Sequence, residues 1–471
     1  MNAHASSLGA YHDHITRKRV AFEPSGLIKI PELNSNLKPL QAHCVEFGLR
    51  CGCAGLFKDT GLGKTFDELE WGRVVVEHTN KPVLMLAPLA VGLQHEREAE
   101  RWGIDAVYRR EAKPTDGARI IISNYERLER FDPDMFSGVI LDESSIIANF
   151  TGATTRKLTK AFERTPFRLS ASATPAPNDT TELGQHASFL GIMRSAEMLT
   201  RWFINDSRQM GKYRLKRAAV GPFWEWVASW ARCVSMPSDL GFSDEGYELP
   251  ELETLRHILR ADVFSDTGEE RNGQGRLFRV PENSATSIHT EKRRSCVARA
   301  EKVADILSAD PDEIWLVWCD TDYEAEALRD CLGDIVEVSG SQHIDEKEEK
   351  LDAFARGELD RLLTKPSIAG FGSNWQHCAR MAFAGINFSY QTYYQALRRC
   401  WRFGQTRPVQ AHIVGTDTEN GIWNAQARKA ADHQTMKREM TAAMARASRS
   451  SSVYQAYEPN KRSGLPAWMV S

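Results

Sequence analysis

Short β-type runs of four to six residues recur in two stretches of the chain, each separated from the next by a segment of helical pattern. In the first stretch they are Cys53–Phe57, Val83–Ala87, Arg119–Ser123, Val139–Asp142 and Arg168–Ala171; in the second, Ile314–Cys319, Ile335–Ser339, Arg361–Thr364, Met381–Ile386 and Gln410–Val414. Alternation of this kind predicts parallel strands joined by crossover helices, so the fold class is α/β with two parallel-sheet lobes. From about Glu182 to Ala300 the pattern changes to aromatic and basic helices and then to EERNGQGRLFRVPENS, which reads as an insertion or linker. After Thr416 a polar helix carries Met436, Met440 and Met444 at i, i+4 spacing, followed by a Ser/Arg-rich tail ending in LPAWMVS. The expected organisation is an N-terminal extension over 1–36, a first lobe over 37–185, a helical and basic insertion over 186–300, a second lobe over 301–418, and a C-terminal helix and tail over 419–471.

Composition narrows the classes. A length of 471 residues allows about three units of roughly 150 residues. With 42% hydrophobic, 26% charged and 9% aromatic residues, disorder, collagen and long coiled coil are excluded as the dominant state. Sixty basic against 63 acidic residues give a formal charge of -3, which rules out an all-over basic coat. A nucleic-acid partner must therefore be held by local patches. The longest apolar stretch, Pro82 to Leu93, falls short of the roughly 20 residues a membrane span needs, so no membrane association is expected. The first residues lack an apolar h-region and a cleavage site, which makes the cytoplasm the expected compartment. Nine scattered cysteines, with only Cys51 and Cys53 close together, read as reduced thiols rather than a zinc set.

The most informative string is FKDTGLGKT, Phe57 to Thr65, between a short strand and a helical pattern. Gly61 and Gly63 let backbone N–H groups turn around a phosphate, Lys64 can reach the outer phosphates and Thr65 can hold Mg²⁺. Lys58 stands where the full eight-residue phosphate-loop pattern places its first glycine. In GVILDESS an apolar strand ends in Asp142, suited to orienting Mg²⁺, and Glu143, suited to polarising an attacking water. Thirty residues beyond Asp142 comes SATPAPN, whose Ser172 and Thr174 can report the state of a bound phosphate. Far along the chain lie GFGSNWQ, Gly370 to Gln376, and QALRRCWRFGQ, Gln395 to Gln405. Arg399 and Arg402, three apart on a helix, share a face and can reach a phosphate across a cleft.

In this order the motifs resemble those of superfamily-two helicases and translocases, and within them the Swi/Snf-type DNA-dependent ATPases, in particular compact phage-encoded members. LKPLQ looks like the adenine-reading Q motif with Gln41 as its glutamine, DTGLGKT resembles motif I, LAPLAVGLQHEREAERW motif Ia and SNYERL motif Ib. LDESSIIAN resembles motif II with Asn149, SATP motif III, GFGSNWQ motif V and QALRRCWRFGQ motif VI. The chain departs from the pattern at Ser145, where DEAH boxes have His, in SATP where Swi/Snf members have LTGTP, at Arg398 where motif VI has Gly, and at Trp401 where it often has His.

The resemblance implies two RecA-like lobes clasping ATP with Mg²⁺. Gln41, Gly61, Gly63, Lys64, Thr65, Gly372 and Gln395 would contact nucleotide, and Thr65 and Asp142 the metal. Lys64, Asp142, Glu143, Arg399 and Arg402 would be the catalytic set. It further implies stepping along double-stranded DNA through backbone contacts, as a monomer. A strand-separating DNA or RNA helicase, or an ATP-clamped binding module without motor activity, are the alternatives.

Arg201, Arg208, Lys212, Arg214, Lys216 and Arg217 form a local basic cluster that can hold phosphates or be a solvated face. The aromatics Phe223, Trp224, Trp226 and Trp230 at helical spacing read as core. Lys292, Arg293 and Arg294 open the helix leading into the second lobe and can contact DNA or cap that helix. His95 and His377 have no partner at a defined spacing and read as structural. The C-terminal segment can dock a protein partner or fold back on the second lobe.

Overall fold

The computed structural model describes residues 22–113, 117–147, 152–176, 179–205, 213–260, 285–370 and 374–448. All ten runs picked out above are strands. In chain order the strands are β1 (Cys53–Lys58), β2 (Val83–Ala87), β3 (Ala106–Tyr108), β4 (Ile120–Asn124), β5 (Gly138–Leu141), β6 (Phe167–Ala171), β7 (Phe203–Asn205), β8 (Tyr213–Leu215), β9 (Ala231–Val234), β10 (Leu252–Leu259), β11 (Trp315–Trp318), β12 (Val336–Val338), β13 (Arg361–Thr364), β14 (Arg380–Phe383) and β15 (Val409–Thr416).

Seven of them form one parallel sheet in the order β3-β4-β2-β5-β6-β1-β9, and six form a second in the order β10-β15-β14-β11-β13-β12. Every pair within these two sheets is parallel, and β7 and β8 make a separate antiparallel ribbon. The inner strands β1, β2, β4 and β5 are buried along their whole length, because helices cover both faces. This is the two-lobed α/β architecture of RecA-like proteins. No helix among the described residues is long and apolar enough to cross a membrane.

The stretch between the two sets of runs contributes more than helices. β9 pairs with β1 and extends the first sheet, while β10 pairs with β15 and extends the second. The helix Val220–Trp230 ahead of β9 buries Phe223, Trp224, Trp226 and Trp230 in the first core, with the Trp202 and Trp226 rings 4.5 Å apart. The aromatic stripe is therefore core.

The C-terminal helix, Asn420–Ser448, leaves the second lobe and lies on the first. Met436 and Met440 enter the first lobe's core, the Cys233 Sγ sits 3.8 Å from the Met440 sulfur, and the Trp224 indole donates to Glu439 at 3.1 Å. The tail from residue 449 onward lies outside the described residues. The helix's methionine stripe matches an apolar face on the helix Val220–Trp230 and β9.

Candidate active site

The chain turns at the end of β1 through Gly61 (φ +92°) and Gly63 (φ +74°), left-handed conformations that a side chain resists. A Cβ on Gly61 would also lie 2.7 Å from the Phe403 backbone nitrogen, and one on Gly63 2.5 Å from the Gln41 amide. Gly63 is the N-cap of the helix Lys64–Thr79 and supplies no side-chain cap, so the positive end of that helix faces the loop. Behind it, Lys58 and Asp67 form a fully buried ion pair at 2.5 Å. The residue in place of the expected glycine thus anchors the loop from beneath.

A cleft of about 330 Å³ lies between the two sheets' carboxyl-end loops. From the first lobe it is lined by Gln41, Gly61, Gly63, Lys64, Thr65, Asp142 and Glu143, and from the second by Arg399 and Arg402. Lys38, Lys64, Arg101, Arg399 and Arg402 face it against Glu98, Asp142 and Glu143. That excess of cations suits a polyphosphate. Gln395 is buried beside the cleft, its amide donating to the Thr174 hydroxyl at 3.1 Å across the lobe boundary. Gly372, Asn149, Arg208 and Lys212 lie outside the described residues.

Individual side chains are tightly held. The Lys64 ammonium donates to Glu143 Oε1 at 3.2 Å. Burial alone would lower its pKa, but Glu143, Asp142 and Glu68 outweigh that and keep the ammonium charged above its ordinary range. Glu143 has φ +49°, one of two non-glycine residues with positive φ among the described residues, and its N–H donates to Asp142 Oδ1 at 2.8 Å. Backbone strain of this kind concentrates at functional sites. Burial raises the Asp142 carboxyl, and the His95 ring 2.8 Å away more than offsets it, so the group sits below the usual carboxylate range. Burial pushes Arg402 down to about 9, still cationic at neutral pH, and Arg399 below its ordinary value. Gln41 accepts from the Lys38 N–H at 3.0 Å and donates to the Gly63 carbonyl at 3.1 Å, tying the first helix to the loop. Thr65 and Asp142 on one wall of the cleft, beside the buried Glu68 carboxyl whose two oxygens find no hydrogen-bond partner, are donors of the kind a divalent cation takes.

Several residues in or beside the motif strings take partners that the strings do not announce. His95 is not a bystander: it lines the cleft and pairs with Asp142. Tyr125 donates to the Asp142 carbonyl at 2.7 Å. Arg398 reaches the Thr60 carbonyl at 2.6 Å, and Tyr394 donates to Asp59 at 3.0 Å, so the second lobe grips the phosphate loop itself. Asn374 donates to Glu98 at 3.1 Å. By contrast Lys292 is buried and pairs with Asp320 at 2.9 Å, which removes it from any DNA surface. Periodicity placed none of these because each partner is distant in sequence.

Residues 298–404 match the helicase conserved C-terminal domain. Over 112 residues the chain is also 32% identical to the chromodomain-helicase-DNA-binding protein 3 homolog of Caenorhabditis elegans, a match that covers 21% of this chain and 6% of that protein. The domain match runs from within the helix Ala285–Ala309 through β11, β12, β13 and β14 to the Arg399 and Arg402 segment. The second lobe is thus similar to a helicase C-terminal domain, and it sits in a two-lobed α/β fold.

Proposed function

We propose that the chain is an ATP-driven translocase that hydrolyses ATP to ADP and phosphate and moves along double-stranded DNA. The observation that carries this reading is the convergence of Lys64 from one lobe with Arg399 and Arg402 from the other on one cation-rich cleft. In it, Gln41 serves the adenine side and Lys64 the phosphates. Thr65 and Asp142 hold Mg²⁺, Glu143 activates water, and the two arginines stabilise charge on the outer phosphate. Gln395 and Thr174 relay the state of that phosphate between lobes through their shared hydrogen bond. The relative's printed name includes both helicase and DNA-binding, which supports DNA as the track. The units proposed are a first lobe built on 37–185 and a second built on 301–418, with 186–300 adding β9 to the first sheet and β10 to the second.

Steady-state hydrolysis of ATP with duplex and single-stranded DNA tests this. Duplex is expected to stimulate more, and a third strand on a triplex is expected to be displaced where a plain duplex is not unwound. Hydrolysis that ignores both DNAs, or that persists in Lys64→Ala, would falsify the motor reading; unwinding of the duplex would make the protein a strand-separating helicase.

A further inference from the structure

Glu68 sits one turn into the helix that begins at Lys64. Its side chain is wholly buried, and neither carboxyl oxygen has a hydrogen-bond partner among the described residues. A buried carboxyl in that condition costs several kcal/mol by general transfer measurements unless something answers it. Its charged neighbours are Asp142, Lys64, Glu143 and Asp67, and the buried His95 ring, 2% exposed, stands beside Asp142, 4% exposed. One ligand atom from each of Glu68, His95 and Asp142 lies within 4.8 Å of the others. The imidazole uses Nε2 on Asp142 at 2.8 Å, while Nδ1 is buried without a partner. The three donors come from three separate elements: the helix Lys64–Thr79, the helix Gly92–Arg101 and the end of β5.

We propose that Glu68, His95 and Asp142 form a divalent-cation site built wholly from protein side chains, which takes a first-row transition-metal ion such as Mn²⁺ in preference to Mg²⁺ and holds it before nucleotide arrives. Two carboxylates and an imidazole are the donor chemistry of Mn²⁺, Fe²⁺ and Co²⁺, whereas Mg²⁺ favours an all-oxygen shell and keeps its waters. The proposal rests on the reading of this cleft as a nucleotide site only in making Asp142 common to both. Its consequence is an order of events: the metal is seated on the protein, and the nucleotide meets a positive centre already in place.

The test is a titration of the full chain with MnCl₂ without nucleotide, followed by electron paramagnetic resonance. One Mn²⁺ per chain is expected to lose its aqueous six-line signal, and pulsed spectra of the bound ion should carry a nitrogen-14 coupling from the His95 ring. Glu68→Gln and His95→Asn should each weaken Mn²⁺ binding by about tenfold or more, and His95→Asn should erase the nitrogen coupling. Circular dichroism confirms that both variants fold, and the nitrogen signature of the unaltered protein needs no variant. Absence of bound Mn²⁺, absence of the coupling, or unchanged affinity in folded Glu68→Gln each overturns the site. Binding of a fluorescent ATP analogue, measured separately, keeps the two readings apart. Mn²⁺ held with nitrogen coupling but no ATP bound removes the translocase and leaves the metal site, whereas Mg²⁺-supported hydrolysis with no Mn²⁺ retained does the reverse.

Discussion

Glu143 combines a left-handed backbone, an ion pair with Lys64 and a second oxygen that is buried without a hydrogen-bond partner. An acid held this way is oriented for one task, and general-base losses run to about 10²–10⁴-fold. Glu143→Gln should therefore bind ATP as tightly as the unaltered chain while its single-turnover hydrolysis slows by at least about 10²-fold; a variant that hydrolyses at full speed removes the role. His186 makes a different kind of prediction. Its Nε2–H donates to the Pro175 carbonyl at 2.8 Å and Nδ1 accepts from Ser170 at 2.8 Å, and burial pushes its pKa down to about 4. Above the ordinary value of 6.5 both folded and unfolded rings are neutral, so the residue is silent there. As pH falls below 6.5 the unfolded chain takes up the proton first, and stability declines until about 4. Denaturant titrations should show a loss of about 2 kcal/mol between about pH 7 and about pH 5, absent in His186→Asn. An equal slope in the variant means another group is responsible. Gly61, Gly63, Lys64, Thr65, Asp142 and Glu143 could be picked from sequence because their spacing along a loop or strand end encodes their geometry. Arg399 and Arg402, by contrast, reach the cleft from the turn beyond the helix Tyr390–Leu397 and not from the shared helical face expected of them. His95, Tyr125 and Arg398 could not be picked, since their partners Asp142 and Thr60 are brought near only by the fold.

Nine of the ten strands read from the sequence are inner strands, which helices cover on both faces, so their largely apolar runs stand out; β12 is an edge strand. β9 and β10 were hidden for the converse reason. β9, ARCV, carries a charged residue in a short edge strand, and β10 mixes intermediate with exposed positions along LETLRHIL and buries none of them. Edge strands need only one paired side, so their pattern weakens. The helix Asn420–Ser448 shows the same limit, since its methionine stripe announced a buried face without naming the surface that receives it. That surface includes Asp59 at the head of the phosphate loop, to which Lys437 donates at 2.7 Å. Burial raises the Asp59 carboxyl, but Lys437 and then Arg398 pull it well below the usual carboxylate range. Met440 is fully buried in the first lobe's core, so Met440→Ala should cost about 2–5 kcal/mol in chemical denaturation. Lys437→Met should keep the helix docked yet weaken ATP binding through the released loop. Undiminished stability in Met440→Ala shows that the helix is not seated there.

The two lobes are held together by more than the cleft. The helix Ile344–Ala355 of the second lobe is acidic, and its Glu348 accepts from Tyr108 at 2.7 Å, Asn124 at 3.0 Å and Arg127 at 3.4 Å on the first. Asp345 pairs with Arg110 at 2.6 Å, and Asp352 with Arg97. Glu348 and Arg127 are 7% and 5% exposed, so little solvent screens that pair, whereas Arg97 and Arg110 are about half exposed and their pairs are weak individually. Hydrogen bonds to a charged group are each worth about 1.5–3 kcal/mol, so the three on Glu348 amount to several kcal/mol. Moving a two-state opening from 1:99 to 99:1 takes roughly 5.5 kcal/mol, the same order. Loss of this one carboxylate should therefore change the population of lobe arrangements rather than merely trim stability. Glu348→Ala, with donor and acceptor dyes on the two lobes, should lower transfer efficiency relative to the unaltered chain, and raising salt from about 0.05 to about 0.5 M should move the unaltered chain only part of the way, because the buried pair is protected. If Glu348→Ala leaves the transfer efficiency where it was, contacts at Asp59, Thr60 and Thr174 suffice to close the lobes and the acidic helix is not their latch.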